Sequence, residues 1–255
     1  MMMTHRRACL DPILVPYHLD ERLDALTFPG ATVVDAGPPP AAPAWERLGF
    51  LYRPVVDAVA RAPRPLVVSG DCTTALAALA GLQAKGIDPG VVWLDAHGDF
   101  NTHETTLSGY LGGMPLALAV GRGDATLRER IGLRPLREER VALADARDLD
   151  PPERAALAGS RVRRSSVADI VAPDGDLYVH IDLDVLSPDE LDGLRYPVPG
   201  GPPLAGMVAA LRRLADTDRV MGVGLACTYF PERAARHQVA RVVDAVLGAL
   251  GASTG

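Results

Sequence analysis

Lysine is all but missing from this chain: Lys85 is the only one among 26 basic residues, a skew that reflects base composition rather than mechanism. Cysteine is scarce. Cys9, Cys72 and Cys227 are an odd and sparse set, which excludes a disulfide framework. No apolar stretch approaches the roughly 20 residues of a membrane-spanning helix. There is no surplus of positive charge. With 26 basic against 32 acidic residues and a net charge of −6, a dedicated nucleic-acid binder is excluded and an anionic lipid surface is a poor partner. No apolar run follows the basic residues near the start: His5, Arg6 and Arg7 lead into Asp11-Pro12, so no signal peptide is expected and the cytoplasm is the expected location. What is present is a core. Apolar residues make up 48% and charged residues 23% of the 255 positions, with mean hydropathy +0.10, values that exclude disordered and collagen-like chains.

Short apolar runs alternate with helix-like stretches. Leu66-Val67-Val68 runs into Ser69-Gly70-Asp71, Val91–Leu94 into Asp95, Leu177–Ile181 into Asp182, and Val220–Ala226 into Cys227. Between and around them the pattern predicts helices near Ala44–Arg61, Thr73–Lys85, Gly113–Val120, Ala125–Arg130, Pro151–Ala158, Leu204–Ala215 and Pro231–Leu250. Strands apolar on both faces, alternating with helices, predict an α/β fold with a mainly parallel sheet. Ligands of such sheets bind beyond the carboxyl ends of the strands, where this chain carries its aspartates. The proline-rich Gly37–Pro43 reads as a stiff surface loop. The segment before it is too short to hold a core, so one domain over residues 1–255 is expected, with a frayed end at Gly251–Gly255.

Asp95-Ala96-His97-Gly98-Asp99 follows an apolar strand. In an extended segment residues two apart share a face, so Asp95, His97 and Asp99 are expected to point the same way. The same parity applies to Asp182-Leu183-Asp184. A lone Asp-x-Asp is most often a surface turn. Two acidic clusters at the ends of two apolar strands repel one another unless cations neutralise them, so a metal centre is expected. Cys72 opens a helical run after Gly70-Asp71, where a helix N-terminus would lower a thiol pKa.

These segments resemble the ureohydrolase superfamily: arginase, agmatinase, formiminoglutamase and relatives. Asp95–Thr102 resembles its Asp-Ala-His-x-Asp-x-Asn motif, His180–Val185 its Asp-x-Asp strand, Val198–Gly201 its Gly-Gly turn, and Arg147–Glu153 the substrate-side segment of arginase. The resemblance implies a three-layer arginase-like fold with a mainly parallel eight-stranded sheet flanked by helices, often in trimers or hexamers. It also implies two divalent ions, Mn²⁺ in the family, bridged by a hydroxide that attacks an amidine-type carbon. Carried over, one ion takes Cys72, Asp95, Asp99 and Asp182, and the other Asp95, His97, Asp182 and Asp184. Asp99 also orients the hydroxide. Asn101, Ser108, Asp150 and Glu153 line the substrate's amino-acid end.

Three departures bear on the substrate. Ser69-Gly70-Asp71-Cys72 stands where the family usually reads Gly-Gly-Asp-His. A thiolate ligand favours Zn²⁺ or Fe²⁺ over Mn²⁺, and relatives acting on N-hydroxylated arginine look similar here; the other reading is a small buried cysteine. Ser108-Gly109-Tyr110-Leu111-Gly112 lacks the shuttle histidine of arginase, for which His103 is a weak substitute. The glutamate that pairs with guanidinium falls on Cys227 or Thr228, with Cys227 favoured. Without that carboxylate a guanidinium loses a charge-assisted fork of hydrogen bonds. Cys72 and Cys227, both at the sheet edge, are candidates for an oxidative pair. His180 reads as a core histidine bonded to the sheet or supporting a carboxylate rather than a ligand, and His5, His18 and His237 as surface or structural residues. The expected function is metal-dependent hydrolysis of a linear C–N bond in a small amidine, guanidine or N-hydroxyguanidine. The main rival is an inactive arginase-like protein that binds a small ligand or serves as a subunit partner. A histone-deacetylase-like single-metal enzyme fits two acidic clusters less well.

Overall fold

The structure, a computed structural model, describes residues 9–251; the basic segment at His5–Arg7 and the terminal residues 252–255 lie outside them. Among the described residues ten strands run in chain order: β1 (Asp11–Val15), β2 (Tyr17–His18), β3 (Glu21–Arg22), β4 (Thr32–Val33), β5 (Pro65–Ser69), β6 (Gly90–Asp95), β7 (Val141–Asp145), β8 (Arg163–Ser165), β9 (Leu177–Asp182) and β10 (Val220–Ala226). Seven α-helices accompany them among the same residues: α1 (Ala44–Arg61), α2 (Ala75–Ala84), α3 (Pro115–Ala119), α4 (Thr126–Ile131), α5 (Pro151–Ala158), α6 (Leu204–Ala215) and α7 (Arg236–Ala249). Eight strands form one sheet in the order β4-β1-β5-β10-β9-β6-β7-β8, and every pairing in it is parallel. β2 and β3 form a separate antiparallel ribbon.

Strand parity divides the core. Val91 and Trp93 of β6 and Tyr178 of β9 pack with α1 to α5 on one face. Val92, Leu94, Val179 and Ile181 pack with α6 and α7 on the other. The near-continuous apolar runs of these strands follow from burial on both faces. α2 is buried all round from Ala75 to Gln83. It lies against α1 so closely that a side chain at Gly81 would come within 2.6 Å of Val59.

β1 and β7 carry no strong strand signal in the sequence. β1 contains Pro12, yet it sits inside the sheet. Asp11 donates its N–H to Arg64 on the β5 side, so parity turns Pro12 toward β4, whose pairing begins only at Ile13; its missing N–H breaks no ladder bond. β7 is masked by Ala142 and Ala144, small residues rather than β-branched ones. The predicted C-terminal helix begins at Arg236, not Pro231, because Pro231–Ala235 form turns. The outermost strands β4 and β8 are short and largely exposed, which limits edge-to-edge pairing.

The chain fills the sheet out of order. It lays down β5, jumps to β6, continues outward to β8, and returns with β9 and β10 between β5 and β6. The crevice where the strand order reverses is the ligand position of open α/β sheets. Because all eight strands of the main sheet are parallel, the ends of β5, β10, β9 and β6 meet at that one edge.

Candidate metal centre

Each cluster converges through a turn rather than through an extended strand. β6 ends at Asp95, and His97 N–H folds back onto Asp95 Oδ1 at 2.7 Å. Gly98 then passes so close to Glu153 Oε1 that an added Cβ would lie 2.6 Å from it. Asp99 is in the left-handed region at φ 51°, uncommon for a residue other than glycine. β9 ends at Asp182, whose Oδ1 accepts the Asp184 N–H at 2.9 Å, within a single 3-10 turn, Leu183–Val185. After β5, Asp71 caps a 3-10 turn at Cys72–Thr74 by accepting the Thr73 N–H at 2.7 Å.

Cys72, His97, Asp182 and Asp184 line a cavity of about 200 Å³, and Asp95 is buried beside them. Cys72 Sγ lies 2.9 Å from Asp182 Oδ2 and 3.7 Å from Asp95 Oδ2. His97 Nδ1 lies 3.1 Å from Asp184 Oδ2 and 3.3 Å from Asp95 Oδ1. Two groups therefore form, Cys72/Asp95/Asp182 and Asp95/His97/Asp184, each with ligand atoms within 4.8 Å of one another. Asp95 belongs to both. Asp99 lines the same cavity, and its Oδ2 is buried without a hydrogen-bond partner among the described residues.

The electrostatics fit a cation site. Burial, reinforced by neighbouring carboxylates, pushes Asp99 and Asp182 well above the ordinary range and lifts Asp184 to about 6. Burial also works against ionised Asp95, but hydrogen bonds from His97 outweigh it and hold Asp95 low. Burial opposes the charged form of His97, and the carboxylates of Asp184 and Asp95 overcome this and raise it to about 12. The Cys72 thiol is pushed well up by burial and by Asp182, Asp99 and Asp95. This reverses the lowering expected from a helix N-terminus, because one 3-10 turn cannot offset desolvation beside three carboxylates. The donor set of thiol, imidazole and carboxylates, with an orphaned Asp99 oxygen, suits divalent ions.

The remaining sequence-derived residues divide. Asn101, Asp150 and Glu153 line the cavity; Glu153 also accepts the Phe100 N–H at 2.8 Å. Ser108 is exposed, with its hydroxyl near Thr106 and Tyr110 N–H, outside the cavity wall. Of the two alternatives after β10, Thr228 lines the cavity and its hydroxyl bonds Asp182 Oδ1. Cys227 packs in the core of the α6/α7 face, whereas Cys72 belongs to the opposite face, which separates the two thiols across the sheet. His103 is exposed and bonds Trp45 Nε1 at 3.2 Å. His180 is buried against Trp93, with ring centroids 3.8 Å apart and the rings tilted by 32°, and it lies within electrostatic reach of Asp95. Tyr110, Tyr196 and Asp148 also line the cavity; Tyr110 and Asp148 fall inside segments that resemble family motifs without being singled out there, and Tyr196 belongs to no motif.

Arg147 staples the loop that carries Asp184. It pairs with Asp145 and donates to the carbonyls of Asp184, Val185, Leu186, Val198 and Pro199 at 3.0–3.3 Å. A lysine places one compact ammonium where a planar fork reaches several acceptors. Arg147→Lys is expected to lower unfolding free energy by about 2–4 kcal/mol, since several charge-assisted bonds are lost together; urea denaturation measures it.

Glu153 supplies a test of the burial. Desolvation lifts its carboxyl to about 7 from 4.5. A raised folded-state pKa contributes stability below the unfolded value, and that stability is lost as pH rises through the folded one. Glu153→Gln is therefore expected to stabilise chelator-treated protein by about 2–3 kcal/mol at pH 8.5 and to change it little at pH 4. Equal effects at both values in denaturant titrations would exclude the assignment.

The profile of the arginase family matches residues 6–249. N(omega)-hydroxy-L-arginine amidinohydrolase from Streptomyces lavendulae is 35% identical over 198 residues, 74% of this chain and 70% of that protein. Arginase from Bacillus caldovelox is 32% identical over 213 residues, 76% of this chain and 71% of that protein. The solved structure of the Bacillus caldovelox arginase superposes with a TM-score of 0.80 at 25% identity, covering 96% of this chain and 99% of that one.

Proposed function

The chain belongs to the arginase family, and from that premise we propose that it is a ureohydrolase-type hydrolase that cleaves a linear C–N bond in a small amidine or guanidine compound. The observation that carries this reading is the pair of ligand groups that share Asp95, with Cys72, His97, Asp182 and Asp184 lining one cavity. Cys72, Asp95, Asp99 and Asp182 would hold one divalent ion, and Asp95, His97, Asp182 and Asp184 the other. Such ions, when bound, lower the pKa of a water and polarise the substrate. Mn²⁺ is the family expectation, and the thiol shifts the preference toward Zn²⁺ or Fe²⁺.

The chain's own residues do the rest. Asp99, with a free buried oxygen, accepts a hydrogen bond from the attacking water and orients it. Thr228 holds Asp182 in place. Asn101, Asp150 and Glu153 face the substrate's polar end, and Asp148 extends this acidic wall, which suits a cationic amino group. Thr228 stands where a carboxylate would grip an unmodified guanidinium. An N-hydroxyguanidine, less basic and able to bond a hydroxyl, suits that wall better than arginine, in line with the Streptomyces relative. Residues 1–255 act as a single domain in this reading, as a cytoplasmic homo-oligomer, trimeric or hexameric.

The test is product formation from N-hydroxy-L-arginine, L-arginine and N-formimino-L-glutamate, with Mn²⁺ and Zn²⁺ each supplied. Turnover of N-hydroxy-L-arginine exceeding that of L-arginine in kcat/KM is expected. Metal-loaded protein that turns over none of the three would refute the proposed reaction.

A further inference from the structure

Gly112 leaves room for a neighbour. A side chain there would collide with the ring and hydroxyl of Tyr110, which lies over the position and lines the cavity. Behind it stands His18, 6% exposed, stacked on Tyr110 at 6.1 Å with an 18° interplanar angle. Tyr110 Oη and His18 Nε2 are 3.1 Å apart, and His18 Nδ1 is 3.0 Å from the Gly70 carbonyl. A carbonyl only accepts, so Nδ1 carries the hydrogen and Nε2 is left as acceptor. The tyrosine hydroxyl therefore donates to the imidazole.

The geometry points to Tyr110 and His18 as the proton relay of this hydrolase, with Tyr110 as the group that meets the substrate and His18 as the store behind it. The inference rests on the reaction proposed above. As water adds to the amidine carbon, Tyr110 Oη takes a proton from it and passes its own to His18 Nε2. As the C–N bond breaks, its electron pair stays on the leaving nitrogen. That nitrogen takes a proton from Tyr110 Oη, which regains one from His18 Nε2. One proton is borrowed and returned, and no other reactant is required. The Asp71 carboxylate accepts the Leu19 N–H at 2.5 Å, one residue beyond His18, and offsets the transient imidazolium. Burial and Asp71 push the Tyr110 phenol far up, so it remains a phenol between transfers. The groups facing the pair are Asp71, Cys72 and Tyr196, whose ring is 5.3 Å from that of Tyr110.

Tyr110→Phe removes one hydroxyl and keeps the ring, and His18→Asn can keep the bond to Gly70. Both are compared with wild type on N-alkyl and N-aryl formamidines, whose leaving amines are strongly and weakly basic. General acid–base help is worth roughly 10²–10⁴-fold, and a basic leaving amine depends on it most. Tyr110→Phe is expected to lower kcat at least ~100-fold for the N-alkyl substrate and less than ~5-fold for the N-aryl one. His18→Asn is expected to follow the same order more weakly, with metal per chain unchanged in both. Nitrogen NMR of labelled wild type is expected to show His18 protonated at Nδ1, with the Nε2 signal moving in Tyr110→Phe. Equal losses on both substrates, no loss, or a His18 proton on Nε2 would each overturn the relay while the reaction stands. A wild type that cleaves neither the formamidines nor any of the three substrates named above would instead overturn the proposed reaction, and the relay with it.

Discussion

Asp182→Asn is expected to abolish hydrolysis and, at the same time, to stabilise the metal-free chain. Asp182 receives the Cys72 thiol, the Asp184 N–H and the Thr228 hydroxyl, and in the proposed centre it serves both ions. Loss of an outer partner of a metal ligand costs about 10–100-fold, so loss of a shared ligand should cost on the order of 10³-fold in activity. Stability moves the other way. Asp99, Asp182 and Asp184 have raised folded-state pKa values, so each contributes stability below its unfolded value and loses it as pH rises through its folded one. Asp95, held low by His97, has the opposite sign but is outnumbered. Chelator-treated wild type should therefore become less stable from about pH 4 upward, through the Asp184 value of about 6, and added metal should reverse the loss by binding the folded state. In Asp182→Asn the slope with pH should be shallower and the Tm near neutral pH higher. Thermal melts across pH, with and without chelator, read all three outcomes; a wild-type Tm insensitive to chelator at pH 8 would remove the basis for a metal centre.

The second large effect is expected at Cys72. The thiol is buried against Asp182 and Asp95, and its pKa is pushed well up, so it stays protonated in the metal-free protein. A metal that binds there must displace that proton. Wild type should take up two ions per chain and Cys72→Ser one, and metal uptake by the mutant should release one proton fewer. Cys72→His should restore an imidazole and lower the Zn²⁺ over Mn²⁺ preference by at least about tenfold, since thiolate is the softer ligand. Elemental analysis and pH-indicator titration in weak buffer measure these quantities. Two ions per chain and an unchanged proton count in Cys72→Ser would make Cys72 a packing residue only.

Parts of the fold and site were legible residue by residue. Val67, Val91, Val179 and Val223 lie in strands buried on both faces, and such strands announce themselves as apolar runs. Asp95, His97, Asp182 and Asp184 stand at the ends of those runs, and their crowding implied cations. The period-two reasoning that placed them on one face did not describe how they meet. The strands end at Asp95 and Asp182, and the following turns bring His97 and Asp184 round. Either route leads to the same convergence, so the residues were legible even where the local geometry was not. β1 and β7 were hidden by Pro12 and by small alanines.

The sequence by itself determined which residue types stand at the strand ends, that the strands are buried on both faces, and that the clustered carboxylates need counter-charge. These properties are local, set by side-chain chemistry and by spacing along one element. Only the tertiary structure decided which neighbours those ends acquire. The return of β9 and β10 between β5 and β6 brings Asp182 to Cys72, 110 residues apart, and the β2 ribbon brings His18 to Tyr110, 92 residues apart. It also decided that Thr228 rather than Cys227 faces the cavity, because a shift of one residue moves a side chain to the opposite side of a sheet. Contacts between distant segments depend on strand order and register, and neither leaves a mark on the residues themselves.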